Sequence, residues 1–118
     1  TETAATIKHM FNDYNYLCDT HTAVAVQVYE DYVKNTGDTT QTVIVSTASP
    51  YKFAKSVLTA VDTTEGTDSE FDMVEKLSKV TGTAIPAPLA GLKSREVLHK
   101  DCIEKTQMSE FIKNTLGM

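Results

Sequence analysis

Apolar positions recur along this chain with more than one spacing, and the changes of spacing divide it into elements. In residues 3–15, Ile7, Met10, Phe11 and Tyr14 fall at i, i+3, i+4 and i+7, which puts them on one face of a helix. Lys8, Asn12 and Asp13 take the opposite face, and Asn15 stands where a left-handed C-cap residue is wanted. After the short apolar connector Tyr16-Leu17-Cys18, a second helix is expected from Asp19 or Thr20, either of which suits a cap, to about Asn35. Its apolar residues are Val24, Ala25, Val28, Tyr32 and Val33, with Val26 and Tyr29 widening the face, so burial over much of its circumference is expected. Gly37 and Asp38 with Thr39 and Thr40 make a turn.

The spacing then changes. Val43, Ile44 and Val45 form a continuous β-branched run, the pattern of a strand buried on both faces in a parallel sheet. Ser46, Thr47, Ala48 and Ser49 follow, small or hydroxylated, at the end of that strand where open α/β sheets admit ligands. Ser49 suits an N-cap and Pro50 the first helical position, with Phe53, Ala54, Val57, Leu58 and Val61 inward at helical spacing. A polar loop is expected over 62–67. A further helix spans 69–81, with Phe71, Val74, Leu77 and Val80 inward and Gly82 as its stop. The prolines of Ile85-Pro86-Ala87-Pro88-Leu89-Ala90-Gly91-Leu92 imply an extended arm with at most one helical turn. A short edge strand is expected over about 95–99. The last helix has Thr106 as cap and Met108, Phe111, Ile112, Thr115 and Leu116 on its inner face before Gly117. There is no internal repeat and no low-complexity tract.

These elements imply a fold class. A lone central strand would leave backbone groups unpaired on both edges, each buried one costing ~1–3 kcal/mol. The expected fold is therefore α/β: the helix-rich C-terminal part of a doubly wound domain, with one buried parallel-type strand over about 42–47 and a short second strand over about 95–99. The chain is expected to be one segment, residues 1–118, of a longer protein whose remaining strands lie upstream. Its start at Thr1 without a methionine agrees with a processed or excised piece. An uncovered strand edge would also favour self-association.

Composition narrows the partners. The chain has 118 residues and a formal net charge of −5, with no Lys/Arg cluster, so neither nucleic acid nor a membrane surface is an expected partner. No apolar run approaches the ~20 residues that span a bilayer, and no signal peptide is evident, so a cytoplasmic location is expected. In that compartment the two cysteines, Cys18 and Cys102, are expected as reduced thiols.

Little of the remaining chemistry is specific. Cys18-x-x-His21 offers too few ligands for zinc and no separated base for a cysteine nucleophile, and His9, His99 and Cys102 add no supporting spacing. His21 reads first as a hydrogen-bonded helix-start residue. Lys52 and Lys55 near a helix N-terminus read as solvated surface, as does the acidic stretch 62–72. By itself Thr47 reads as a strand-end hydroxyl.

Two segments taken together say more. Asp19-Thr20-His21-Thr22-Ala23-Val24-Ala25, followed by Val43-Ile44-Val45-Ser46-Thr47-Ala48-Ser49-Pro50-Tyr51-Lys52-Phe53, resembles the C-terminal part of threonine synthase. In that family an acidic-Pro-His-Thr/Gly-Ala-Val/Ile-Ala segment precedes a strand ending in Ser/Gly-Thr-Ala-His/Ser-Pro-x-Lys-Phe. Gly82-Thr83-Ala84-Ile85-Pro86 and the closing helix also match, so the resemblance runs over essentially the whole chain. Thr20 replaces the common proline, and Ser49 replaces a histidine found in many members, so no role is carried over for that side chain.

The resemblance implies an enzyme dependent on pyridoxal 5'-phosphate, of the tryptophan-synthase-β-like fold. It would convert O-phosphohomoserine and water to L-threonine and phosphate, within threonine biosynthesis. The cofactor supplies an electron sink and the protein orients and tunes it. The resemblance implies one cofactor-binding residue here, Thr47, whose hydroxyl would meet the pyridine nitrogen. No catalytic residue and no metal ligand is nominated, because no motif matches the family's Schiff-base lysine and the glycines are isolated. The chain would form one wall of the cofactor site and be inactive alone. A reading from another class stays open: a free-standing, non-enzymatic α/β interaction or ligand-binding module.

Overall fold

The structure, a computed structural model, describes residues 1–62 and 69–118. The expected polar loop over 62–67 lies, apart from Asp62, outside the described residues.

Helix α1 spans Glu2–Tyr14. The Thr1 hydroxyl caps it by accepting from the Ala4 N–H, and Asn15 ends it with a left-handed φ of 51°. Helix α2 spans Thr20–Thr36, capped by Asp19 and closed by Gly37 at φ 69°. A 3-10 turn at Pro50–Phe53 leads into α3, Ala54–Val61. Ser49 caps that turn and Pro50 opens it, as the sequence implies. Helix α4 spans Glu70–Thr81 between Ser69 and Gly82. Helix α5 spans Met108–Leu116.

Helix α1 packs on α2 and on α3, and α3 packs on α4. Ile7, Ala23, Val57, Leu58 and Leu77 meet in the core, joined by Tyr51, Met73 and Cys18. Ile85 and Leu89 lean on this core from the arm after α4. From Ala90 to Met118 every residue is exposed, and α5 touches little beyond the 3-10 turn at Lys105–Gln107 that precedes it. The radius of gyration shows the consequence: it is 18.8 Å, against about 13–14 Å for a compact domain of this length. Lys93 and Asp72 pair at 2.8 Å, which ties the start of the C-terminal arm to α4.

Several expectations need correction. Among the described residues there is no strand and no sheet, so the doubly wound α/β fold is replaced by an all-helical arrangement. Residues 42–47 have no regular structure, and Val43 and Val45 are 84% and 72% exposed rather than buried. Residues 95–99 form no strand either. A β-branched run favours extended backbone, but a strand exists only when a second segment supplies partners for its N–H and C=O groups. No described segment does so here.

Helix faces are shifted too. In α2 the buried residues are Thr22, Ala23 and Val26, while Val24, Val28 and Tyr32 stand largely in solvent. In α4 Met73 and Leu77 are buried, while Phe71 and Val80 are exposed. Nothing on α5 is buried. At its start it is the Gln107 side chain, not Thr106, that accepts a backbone N–H, from Glu104 at 3.1 Å.

Replacing the fully buried Leu77 by alanine should cost about 2–5 kcal/mol of stability. Val43→Ser, at an exposed position, should stay within about 0.5 kcal/mol. Urea unfolding of the 118-residue chain followed by far-UV circular dichroism measures both, and equal costs would contradict this assignment of the core.

Candidate functional site

The two segments that stand out in the sequence meet at the first turn of α2. Asp19 is 0% exposed, and an ionised carboxylate so placed must be met by donors. Its Oδ1 accepts the N–H of His21 at 2.8 Å and that of Thr22 at 3.4 Å. Its Oδ2 accepts the Thr22 hydroxyl in a short contact. Burial alone pushes this carboxyl up, but the bonds from the Thr22 hydroxyl and the two backbone amides outweigh it. The net direction is below the ordinary value of 3.8. Asp19 is therefore a charged cap on the positive end of a helix.

Thr22, itself buried, carries the arrangement to the second segment: its Oγ1 lies 3.1 Å from Ser46 Oγ. A hydroxyl has one proton to give. The carboxylate can only accept, so Thr22 donates to Asp19 and Ser46 donates to Thr22. Beside this chain the His21 ring is exposed, with Nδ1 3.1 Å from Asp19 Oδ1 and its face tilted against Phe53 at a centroid distance of 5.0 Å. The Tyr51 hydroxyl reaches the Thr83 carbonyl at 2.8 Å, so the 3-10 turn is anchored to the loop after α4. The segments around Asp19, Ser46–Phe53 and Gly82–Thr83 thus lie together, although they are far apart in sequence.

Thr47 follows Ser46 directly and is exposed. Among the described residues its side chain makes no hydrogen bond. Its hydroxyl is free to donate or accept, with the strand-end role of the sequence reading removed along with the strand. Lys52 and Lys55 are exposed, as expected for solvated surface. They line a cleft of about 400 Å³ with Phe53, Glu70, Phe71 and Leu89, and Thr47 is not part of it. A more open groove of about 550 Å³ runs between α2 and residues 42–45, with Val28, Tyr32, Val43 and Val45 in its walls.

Burial and the neighbouring Asp19 charge push the Cys18 thiol up, which leaves it a poor nucleophile. Among the described residues no group of three or more His, Cys, Asp or Glu is placed to hold a metal ion. Nor is any helix long and apolar enough to cross a membrane. The residue that sequence reasoning undervalued is Thr22, whose position three residues after a capping Asp was the available signal.

The family model described as "Threonine synthase, C-terminal" matches residues 22–112, which include Thr22, Ser46 and Thr47. No curated protein matches the chain.

Asp19→Asn keeps the shape of the cap but can no longer accept on both sides. It should cost about 1–2 kcal/mol at neutral pH. Because the folded carboxyl sits below 3.8, its contribution is complete above the unfolded value and is lost as pH falls through the lower folded value. Unfolding curves taken from pH 7 down to pH 3 should show the gap between wild type and variant closing only at the acid end. A gap independent of pH would contradict a charged Asp19.

Proposed function

The chain belongs to the threonine synthase C-terminal family, and on that premise we propose that it is the C-terminal portion of an enzyme converting O-phosphohomoserine and water to L-threonine and phosphate. The observation that carries this reading to a residue is the exposed Thr47 hydroxyl, free of hydrogen bonds among the described residues and held next to the bonded Ser46. A pyridine nitrogen needs one polar partner on an approachable edge, and this side chain fits that requirement. Pyridoxal 5'-phosphate, when bound, supplies the electron sink for the replacement chemistry.

Thr47 would hold the ring nitrogen by a hydrogen bond from a group without charge. A neutral donor leaves that nitrogen largely unprotonated, whereas an aspartate in its place would favour the protonated form. A moderated sink suits a reaction that must end in replacement and not in racemisation or transamination. His21 is oriented by Asp19 and by the ring of Phe53, and no role is assigned to it. In this reading the lysine that bonds the cofactor and the cradle for its phosphate belong to another part of the enzyme, and no lysine of this chain is assigned either task. The 118-residue chain alone is then inactive.

In the complete enzyme, Thr47→Val should still bind pyridoxal 5'-phosphate, because the other contacts are untouched. Turnover should fall roughly 10- to 100-fold, or ~1.4–2.8 kcal/mol of differential stabilisation. Thr47→Asp should increase the share of ketoacid side products. Steady-state kinetics and product analysis of both variants measure this, and wild-type turnover in Thr47→Val would overturn the assignment.

A further inference from the structure

Residues 43–48 have no regular secondary structure, and among the described residues a single hydrogen bond ties them to the rest of the protein: Ser46 to Thr22, at 3.1 Å. The flanking bonds fall outside this stretch. On one side Thr42 bonds the Thr40 carbonyl, and on the other Ser49 caps Tyr51. Thr22 is not a casual partner. It is buried, and its proton is committed to the fully buried Asp19, so its oxygen must face Ser46 as an acceptor. The carboxylate polarises Thr22, which strengthens its acceptance from Ser46.

We propose that Thr22 is a positioning residue, which with Asp19 and Ser46 forms a hydroxyl relay that sets where the Thr47 side chain stands. This rests on the reading of Thr47 as the partner of the cofactor's ring nitrogen. An exposed segment held by one bond would otherwise sample many backbone conformations, and a hydrogen bond to a ring nitrogen tolerates little displacement. Burying the anchor while exposing the working residue gives a segment that is accessible at Thr47 and held at Ser46. The relay is a chain of acceptors and donors, so each link has its own substitution. Ser46→Ala removes the last link and leaves the cap intact. Thr22→Val removes the middle link, and Thr22→Ser restores it.

The experiment is limited proteolysis of the complete enzyme with thermolysin, read by mass spectrometry as cleavage within residues 43–48, with the absorption spectrum of bound pyridoxal 5'-phosphate and its pH dependence recorded in parallel. Ser46→Ala and Thr22→Val should each be cut about three- to tenfold faster within that segment, the factor expected for one net hydrogen bond. Both should alter the pH dependence of the spectrum and lower kcat more than they raise KM. Thr22→Ser should return all three towards wild type. Wild-type cleavage and spectrum in both Ser46→Ala and Thr22→Val would overturn the proposal. So would a Thr22→Val effect spread over α2 with Ser46→Ala unchanged, since Thr22 would then only support the helix start. Thr47→Val separates the two readings. If it behaves as wild type, the assignment of Thr47 fails; if it is defective while the relay variants are not, the relay fails and the assignment stands.

Discussion

A carboxylate removed wholly from water has to be surrounded by donors, and Asp19 imposes that condition on the start of α2. The free backbone N–H groups at the start of α2 supply two of them, and the Thr22 hydroxyl supplies a third. Meeting this demand also sets the rotation of α2 about its own axis. Thr22 must turn inward to reach the carboxylate, and Val26, one turn further on, is buried on the same side of the helix. Val24 and Val28 are carried to the other side. One polar residue thereby decides which of two apolar stripes becomes core.

The uncovered stripe is a physical feature in its own right. Val28 and Tyr32 of α2 and Val43 and Val45 of the irregular segment line an open groove, while α5 presents Met108, Phe111, Ile112 and Leu116 to solvent. Apolar surface arranged this way costs free energy in water. The core that offsets it is small, built from α1, the first part of α2, α3 and α4 around Ile7, Val57 and Leu77. Stability in this chain is therefore concentrated in the helices before Ala90, and the exposed segment bearing Thr47 lies at the border of that core.

That border explains how a candidate site can be both exposed and anchored. Ser49 and Tyr51 tie the segment on its C-terminal side to α3 and to the loop after α4, and Ser46 ties it to α2. Between these points the Thr47 hydroxyl bonds nothing among the described residues. A neutral hydrogen-bonding group on an anchored loop is a modest chemical resource. In the proposed reading its value comes from position, which it takes from Asp19 through Thr22 and Ser46.

Helices and their ends were legible in the sequence because they are local properties. The i, i+3, i+4 pattern of Ile7, Met10, Phe11 and Tyr14, the Ser49-Pro50 start, and the Asn15, Gly37, Gly82 and Gly117 stops depend on backbone groups within a few residues of each other. The joint occurrence of the Asp19–Ala25 and Val43–Phe53 motifs was likewise enough to indicate the family. What the tertiary structure alone decided is pairing. Val43–Val45 has the composition of a buried strand, but a strand needs a neighbour for its hydrogen bonds and none is present among the described residues. The helical periodicity of α2 allowed either stripe to face inward, and the burial of Asp19 with Thr22 selected one. The bond between Thr22 and Ser46 joins residues 24 positions apart, and only packing brings such residues within reach.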